Sequence, residues 1–213
     1  MQSGQVRRSS EPMPSVLIVE DDDLVARAFA RQMREHVRVE RAATLDDGAR
    51  LARTRRFAGA VLDVHLPDGS GLELLAALRA SGERLPVLIA TGVFQRDVAR
   101  KSAALDASCV FKPDLDGLVE TFAARAAEAF RHRAEAEADA VAMLGESLRL
   151  TSRETELLAL LVRGERGREL ARRTGVSENT LKTRVRRLLE KFEESSLEAV
   201  GRTILEEMLH REA

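Results

Sequence analysis

Ala60-Val61-Leu62-Asp63-Val64-His65-Leu66-Pro67-Asp68-Gly69-Ser70-Gly71 carries the strongest structural signal in the chain. The apolar run 57–62 has the length of a buried parallel strand, and it gives way to a carboxylate and then to the turn residues Pro67, Asp68 and Gly69. Asp63 therefore falls at a strand's carboxyl end. In an open α/β sheet that edge is where loops splay apart and leave a crevice for ligands. Taken alone, an aspartate after a strand is more simply a loop cap, and the choice between the two readings depends on the rest of the chain.

Four more apolar runs flank this one. The first, Ser15-Val16-Leu17-Ile18-Val19, is rich in β-branched residues and stops at Glu20-Asp21-Asp22-Asp23. The others cover 37–41, 86–90 and 109–111, the last two leading into Thr91-Gly92 and Lys112-Pro113. Helical patterns separate them, over 24–35, 45–55, 72–80 and 95–105. Thr44-Leu45-Asp46-Asp47 resembles a capping box, and Gly82 serves as a stop. Alternation of this kind predicts an α/β doubly wound, five-stranded parallel sheet with helices on both faces.

Right-handed crossovers deliver the ends of those strands to one edge, where Glu20, Asp21, Asp63, Thr91 and Lys112 all stand. Two like charges about 4 Å apart repel by roughly 4 kcal/mol at an effective dielectric near 20, so the acidic run either faces open water or holds a cation. The plainer reading is a solvated helix start, with Asp22 or Asp23 serving the amino end. Joined by Asp63, however, the pair Glu20 and Asp21 suits a hard divalent ion. Mg²⁺ fits a site of few carboxylates completed by waters and a phosphoryl oxygen. The backbone carbonyl of His65 is a further candidate ligand. Thr91 offers a hydroxyl donor and Lys112 a point charge for phosphate or for Asp63. Such a set is a phosphoryl-transfer site with Asp63 as nucleophile.

Together, Val19-Glu20-Asp21, Leu62-Asp63-Val64-His65-Leu66-Pro67-Asp68-Gly69, Thr91-Gly92 and Phe111-Lys112-Pro113 resemble the motifs of receiver domains of two-component response regulators. The resemblance covers residues 15–130. It implies Mg²⁺ at the acidic pair, phosphorylation of Asp63 by a histidine kinase, contacts from Thr91 and Lys112 to the phosphoryl group, and a cis peptide before Pro113. Two departures stand out. Where family members carry a Tyr or Phe three residues before the lysine, this chain has Cys109, and segment 93–108 is slightly short. The lone cysteine reads as a small buried hydrophobe in preference to a redox sensor.

Beyond residue 115, Leu118, Val119, Phe122, Ala126, Ala129 and Phe130 recur at helical spacing, and nothing breaks the pattern before Gly145. Because the apolar stripe thins to alanine, 131–147 reads as a helical linker in preference to a coiled coil. Thr151-Ser152-Arg153-Glu154 is a second capping box, opening a helix that Gly164 stops. A short helix over 168–174, a turn at Gly175 and a longer helix from Ser177 through Phe192 make a helix-turn-helix, and a last helix over 197–209 closes an all-α unit. On the second helix Val176, Leu181, Val185, Leu188 and Leu189 form the packing set, while Lys182, Thr183, Arg186 and Arg187 project together. The wording of 148–205, including Glu169-Leu170-Ala171 and Val176-Ser177-Glu178-Asn179-Thr180-Leu181-Lys182-Thr183-Arg184-Val185, is similar to the LuxR-type helix-turn-helix. That similarity implies that Lys182, Thr183 and Arg186 face bases and phosphates. Leu181 and Arg184 stand where relatives usually carry Val and His.

Composition agrees with this division. The net charge of −1 over 213 residues hides a segment, 163–191, with ten Arg or Lys against four Glu, so that +6 there leaves about −7 elsewhere. A cationic module that meets a polyanion, joined to an acidic one, has that imbalance. One cysteine allows no intrachain disulfide, and no apolar run approaches the roughly 18 residues of a membrane span. The polar segment 1–14 reads as a flexible tail without a secretory signal, and the cytoplasm as the location. Four segments are expected: tail 1–14, receiver 15–130, linker 131–147 and helix-turn-helix domain 148–213. The function expected is a transcription factor, not an enzyme, that forms a homodimer when phosphorylated and binds promoter DNA. The alternative is a phosphorylation-dependent regulator whose basic bundle grips a protein partner.

Overall fold

The first half of the chain alternates strand and helix: β1 (Ser15–Val19), α1 (Asp23–Met33), β2 (Arg38–Ala42), α2 (Leu45–Thr54), β3 (Gly59–Asp63), α3 (Gly71–Ala80), β4 (Val87–Thr91), α4 (Arg96–Ala104) and β5 (Ser108–Phe111). In this computed structural model, residues 13–93, 95–112, 117–165 and 167–212 are described. Most of the tail 1–14 and the Lys112–Pro113 bond, where a cis peptide is expected, lie outside them.

All five strands pair in parallel in the order β2-β1-β3-β4-β5. The order reverses between β1 and β3, which places a switch-point crevice outside their carboxyl ends. Along β1, successive side chains point to opposite faces. Val16 and Ile18 join Phe29 and Met33 of α1 in one core, whereas Leu17 and Val19 join Leu62, Leu74, Leu75 and Ile89 in the other. A strand buried on both faces has to be apolar throughout, which is why its sequence runs without alternation.

Element bounds shift by one or two residues from those read in the sequence. The central strand begins at Gly59, the register partner of Val16, and includes Asp63 as its last residue. Phe57 and Ala58 are buried on the approach to it. Thr44 accepts a hydrogen bond from the backbone N–H of Asp47 at 3.2 Å. The reciprocal half of the expected capping box is replaced: Asp47, one methylene shorter than glutamate, directs its carboxylate to Arg50.

The second half is helical: α5 (Leu118–Ser147), α6 (Ser152–Val162), α7 (Gly167–Thr174), α8 (Glu178–Phe192) and α9 (Leu197–Glu212). The chain divides into two compact units, Met1–Phe130 and Arg131–Ala213. Segment 131–147 is the later part of α5. Its Ala140 and Val141 are buried with Leu157, Leu158, Leu161, Leu170, Leu181, Leu188, Val200 and Ile204. Val176, Val185 and Leu189 pack against that core.

The helix ends follow their local signals. Thr151 and Glu154 exchange the two bonds of a full capping box, at 2.8 and 3.4 Å. Gly164 and Gly175 take positive φ of 82° and 65°, a region costly for any residue with a Cβ. Ser177 caps α8 by accepting from Thr180 N–H at 3.2 Å.

The Lys191 ammonium lies 2.7 Å from Glu154 Oε2, joining the last turn of α8 to the start of α6. That bond and the capping bonds hold the Glu154 carboxyl at about 2, well below its ordinary 4.5. A depressed carboxylate contributes stability that is complete above its unfolded value and vanishes as pH falls through its folded one. The urea midpoint of the second unit should therefore drop between pH 4.5 and about 2, and Glu154→Gln should be less stable at neutral pH with a shallower decline over that window. Equilibrium unfolding of both proteins across that range, followed by circular dichroism, measures it.

Candidate functional site

Each acid of the run after β1 has its own task. Asp22 is the N-cap of α1, accepting from Leu24 and Val25 N–H at 2.8 and 3.2 Å. Asp23 pairs with Arg27 and Arg41, both at 2.7 Å. Glu20 turns inward and is 1% exposed, while Asp21 is exposed. Neither alternative for the run is wholly right: two acids serve the helix start and two face Asp63.

Asp63 is 5% exposed, and its carboxylate lies among ligand atoms of Glu20 and Asp21 that are all within 4.8 Å of one another. Lys112, just past β5, reaches both buried acids. Its Nζ lies 2.7 Å from Glu20 Oε2 and 2.9 Å from Glu20 Oε1, and 2.9 Å from Asp63 Oδ2. Burial pushes the Glu20 carboxyl up from its ordinary value, and the negative charge of Asp63 adds to this, although the bond from Lys112 partly offsets it. For Lys112, burial alone would lower the ammonium's affinity for its proton. The hydrogen bonds to Glu20 and Asp63 outweigh that and raise it.

Three carboxylates against one ammonium leave the cluster short of positive charge. Asp63 Oδ1 is buried without a hydrogen-bond partner, which is costly unless something polar or cationic meets it. An all-oxygen donor set on a rigid edge suits a hard divalent cation such as Mg²⁺, so the residues present fit that ion.

Thr91 is buried at the same edge, one residue past Ala90, the register partner of Asp63. Its hydroxyl is engaged locally, donating to the Val93 carbonyl at 2.9 Å and accepting from Val93 N–H at 3.3 Å. The His65 side chain is exposed and stands outside the acidic cluster. Cys109 is partly buried against the second core, and burial raises its thiol pKa despite a hydrogen bond with Ser102, which keeps it protonated and apolar in character.

Two groups were invisible in the sequence. Asp68, read as a turn residue, caps α2 from 23 positions away. Arg79 donates to the carbonyls of Glu83, Leu85, Leu105 and Asp106, binding the end of α3 to the turn before β5. No local pattern announces a guanidinium that gathers carbonyls from two segments.

In the second unit, α7, the Gly175 turn and α8 form the expected helix-turn-helix. Leu181 and Leu188 are buried beneath α8, and Lys182, Thr183, Arg186 and Arg187 are exposed on its other side. Thr183 donates to the Asn179 carbonyl at 3.1 Å, and Arg186 has a loose pairing with Glu190 at 3.7 Å.

Known proteins divide the chain in the same way. The family profile of the response regulator receiver domain matches residues 16–123, and that of the bacterial regulatory proteins of the luxR family matches 148–202. The transcriptional regulatory protein FixJ of Azorhizobium caulinodans is 28% identical over 201 residues, covering 92% of this chain and 93% of its own. The acid tolerance regulatory protein ActR of Rhizobium meliloti is 38% identical over 82 residues, 38% of this chain, and the match spans only 42% of ActR. The solved structure of the response regulator StyR superposes with a TM-score of 0.53 at 24% identity, covering 92% of this chain and all of that one, a likeness of fold. Sheet, acidic edge and basic helix thus sit where two family profiles meet in one chain, which belongs to the response regulators and joins a receiver domain to a LuxR-type DNA-binding domain.

Proposed function

We propose that a sensor histidine kinase phosphorylates Asp63 and that this controls promoter binding by α8. Three ammonium-to-carboxylate distances below 3 Å, from Lys112 to Glu20 and Asp63, are the observation that carries the reading, since they bring groups from β1, β3 and β5 to one point. Asp63 attacks the phosphorus of the donor through a carboxylate oxygen, and the donor imidazole leaves. Glu20, Asp21, Asp63 and the backbone carbonyl of His65 would hold Mg²⁺, which when bound neutralises charge on the phosphoryl oxygens. Lys112 pairs with the added phosphoryl charge, and Thr91 exchanges the Val93 carbonyl for a phosphoryl oxygen.

The product is a signal, and we read the chain as a regulator without catalytic turnover of a substrate. Its two receiver states differ in whether α8 is free to bind DNA or the chain to dimerise. Lys182, Thr183, Arg186 and Arg187 meet the duplex, with phosphate contacts setting affinity and base contacts setting sequence. FixJ bears the name of a transcriptional regulatory protein, and a match over 92% of this chain supports the same role here. Among the described residues no helix is long and apolar enough to cross a membrane. From the pairing of a receiver with a DNA-binding domain we assign the protein to the cytoplasm.

Asp63→Asn should take up no label from a radioactive phosphodonor in the presence of Mg²⁺, while the unaltered chain does. Label on the variant equal to that on the parent would refute the assignment of Asp63.

A gel shift on duplex DNA tests the other end of the chain. The double change Lys182→Ala and Arg186→Ala should weaken retention even at low salt and reduce the slope of log affinity against log salt by about 2, one unit for each cation withdrawn from a phosphate. Binding unaffected by salt in the parent would instead favour a protein partner.

A further inference from the structure

The loop between β3 and α3 is tied down by a carboxylate that touches neither the metal-binding acids nor Lys112. Asp68 reaches from this loop to the amino end of α2, where Oδ1 accepts from Leu45 N–H at 2.7 Å and Oδ2 from Asp46 N–H at 3.0 Å. Those N–H groups belong to a first helical turn, have no partner inside the helix, and carry the positive end of its dipole. The bonds from Asp46 and Leu45 hold the Asp68 carboxyl below the usual carboxylate range, so it stays ionised although Asp46 and Asp47 crowd the same turn.

Both ends of this tie lead to the acidic site. On the loop side, Leu66 and Gly69 exchange backbone hydrogen bonds at 3.0 and 3.3 Å, and Val64 N–H donates to the Ala90 carbonyl at 3.3 Å. Gly71 approaches so closely that a Cβ there would fall 2.2 Å from the Asp63 carbonyl oxygen. Loop 64–70 therefore transmits its position directly to Asp63. On the helix side, α2 lies against β1 through Gly48, where a Cβ would meet Val19 Cγ2 at 2.8 Å. Val19 is the residue before Glu20.

We propose that Asp68 is a positioning residue for the acidic site: it fastens loop 64–70 to α2 and so sets the spacing between the acids after β1 and Asp63 at the end of β3. The inference rests on the reading of that cluster as a divalent-cation site. A cation site tolerates little error in the separation of its ligands, and losing a group that orients ligands without binding metal commonly weakens affinity by 10–100-fold.

Thr44 supplies the control, because it caps the same helix through Asp47 N–H and has no bond to the loop. Mn²⁺ serves as the probe, with the free ion followed by electron paramagnetic resonance on the full chain and folding checked by circular dichroism. Asp68→Ala should raise the Mn²⁺ dissociation constant by about tenfold. Asp68→Asn, which keeps one acceptor oxygen, should fall between the parent and the alanine variant, and Thr44→Ala should match the parent. An unchanged constant in both Asp68 variants, or a loss in Thr44→Ala as large as in Asp68→Ala, would overturn the proposal by reducing Asp68 to a helix cap. A parent chain that binds no Mn²⁺ would instead bring down the cation reading and this inference along with it.

Discussion

A single ammonium placed between two buried carboxylates is the constraint that the receiver unit is built around. Lys112, Glu20 and Asp63 come from the ends of three different strands, β5, β1 and β3, and only a parallel sheet brings those ends to one edge. The arrangement is electrostatically incomplete. Glu20 and Asp63 repel one another, Asp21 stands beside them, and one cation cannot neutralise all three. Opposite charges about 4 Å apart attract by roughly 4 kcal/mol at an effective dielectric near 20, yet the single ammonium leaves Asp63 Oδ1 without a partner. That unmet need makes the edge receptive to a cation. A fully neutralised edge would be more stable and chemically idle.

What the sequence reveals depends on the range of the interaction. Strands buried on both faces are visible because burial demands uninterrupted apolar residues, as in Ser15–Val19. Caps are visible because their bonds span three or four positions, as in Thr151 with Glu154 and Ser177 with Thr180. The convergence of Glu20, Asp63 and Lys112 was legible only through topology, by reasoning that parallel strands end together. Asp68 and Arg79 were not legible at all, since their partners lie 22 to 27 residues away or on backbone carbonyls, which carry no side-chain signature. The division of labour within the acidic run was hidden for a related reason. Arg41 on β2 claims Asp23, and adjacency in a sheet is not adjacency in sequence.

The helical unit shows the same economy with different chemistry. Glu154 completes the cap of α6 and receives Lys191 from the end of α8, so one carboxylate fixes the relation of two helices. With Leu181 and Leu188 buried below, α8 is held firmly on one side and left cationic on the other. A helix that reads a groove needs both properties: a rigid seat to fix register, and long charged side chains free to find phosphates.

Fields in physiological salt fade over about 8 Å, so charge added at the acidic edge is felt first by the residues beside it. For the proposed phosphorylation of Asp63 to carry a signal, the receiver needs an element with two arrangements, and inverting a 1:99 population requires about 5.5 kcal/mol of preference for one of them. Position 109 carries a thiol, which presents far less volume than an aromatic ring for a moving Thr91 to displace. Thr91 does possess a second partner, since its hydroxyl bonds both the N–H and the carbonyl of Val93, whose side chain is exposed. Exchanging the carbonyl for a phosphoryl oxygen would release the Val93 backbone directly. Lys112, at the end of β5 and six residues before α5, would meanwhile shift its weight from Glu20 toward the phosphoryl group. Under the proposed phosphorylation, Thr91 and the Val93 backbone that it holds are thus the link from the acidic edge to the exposed surface.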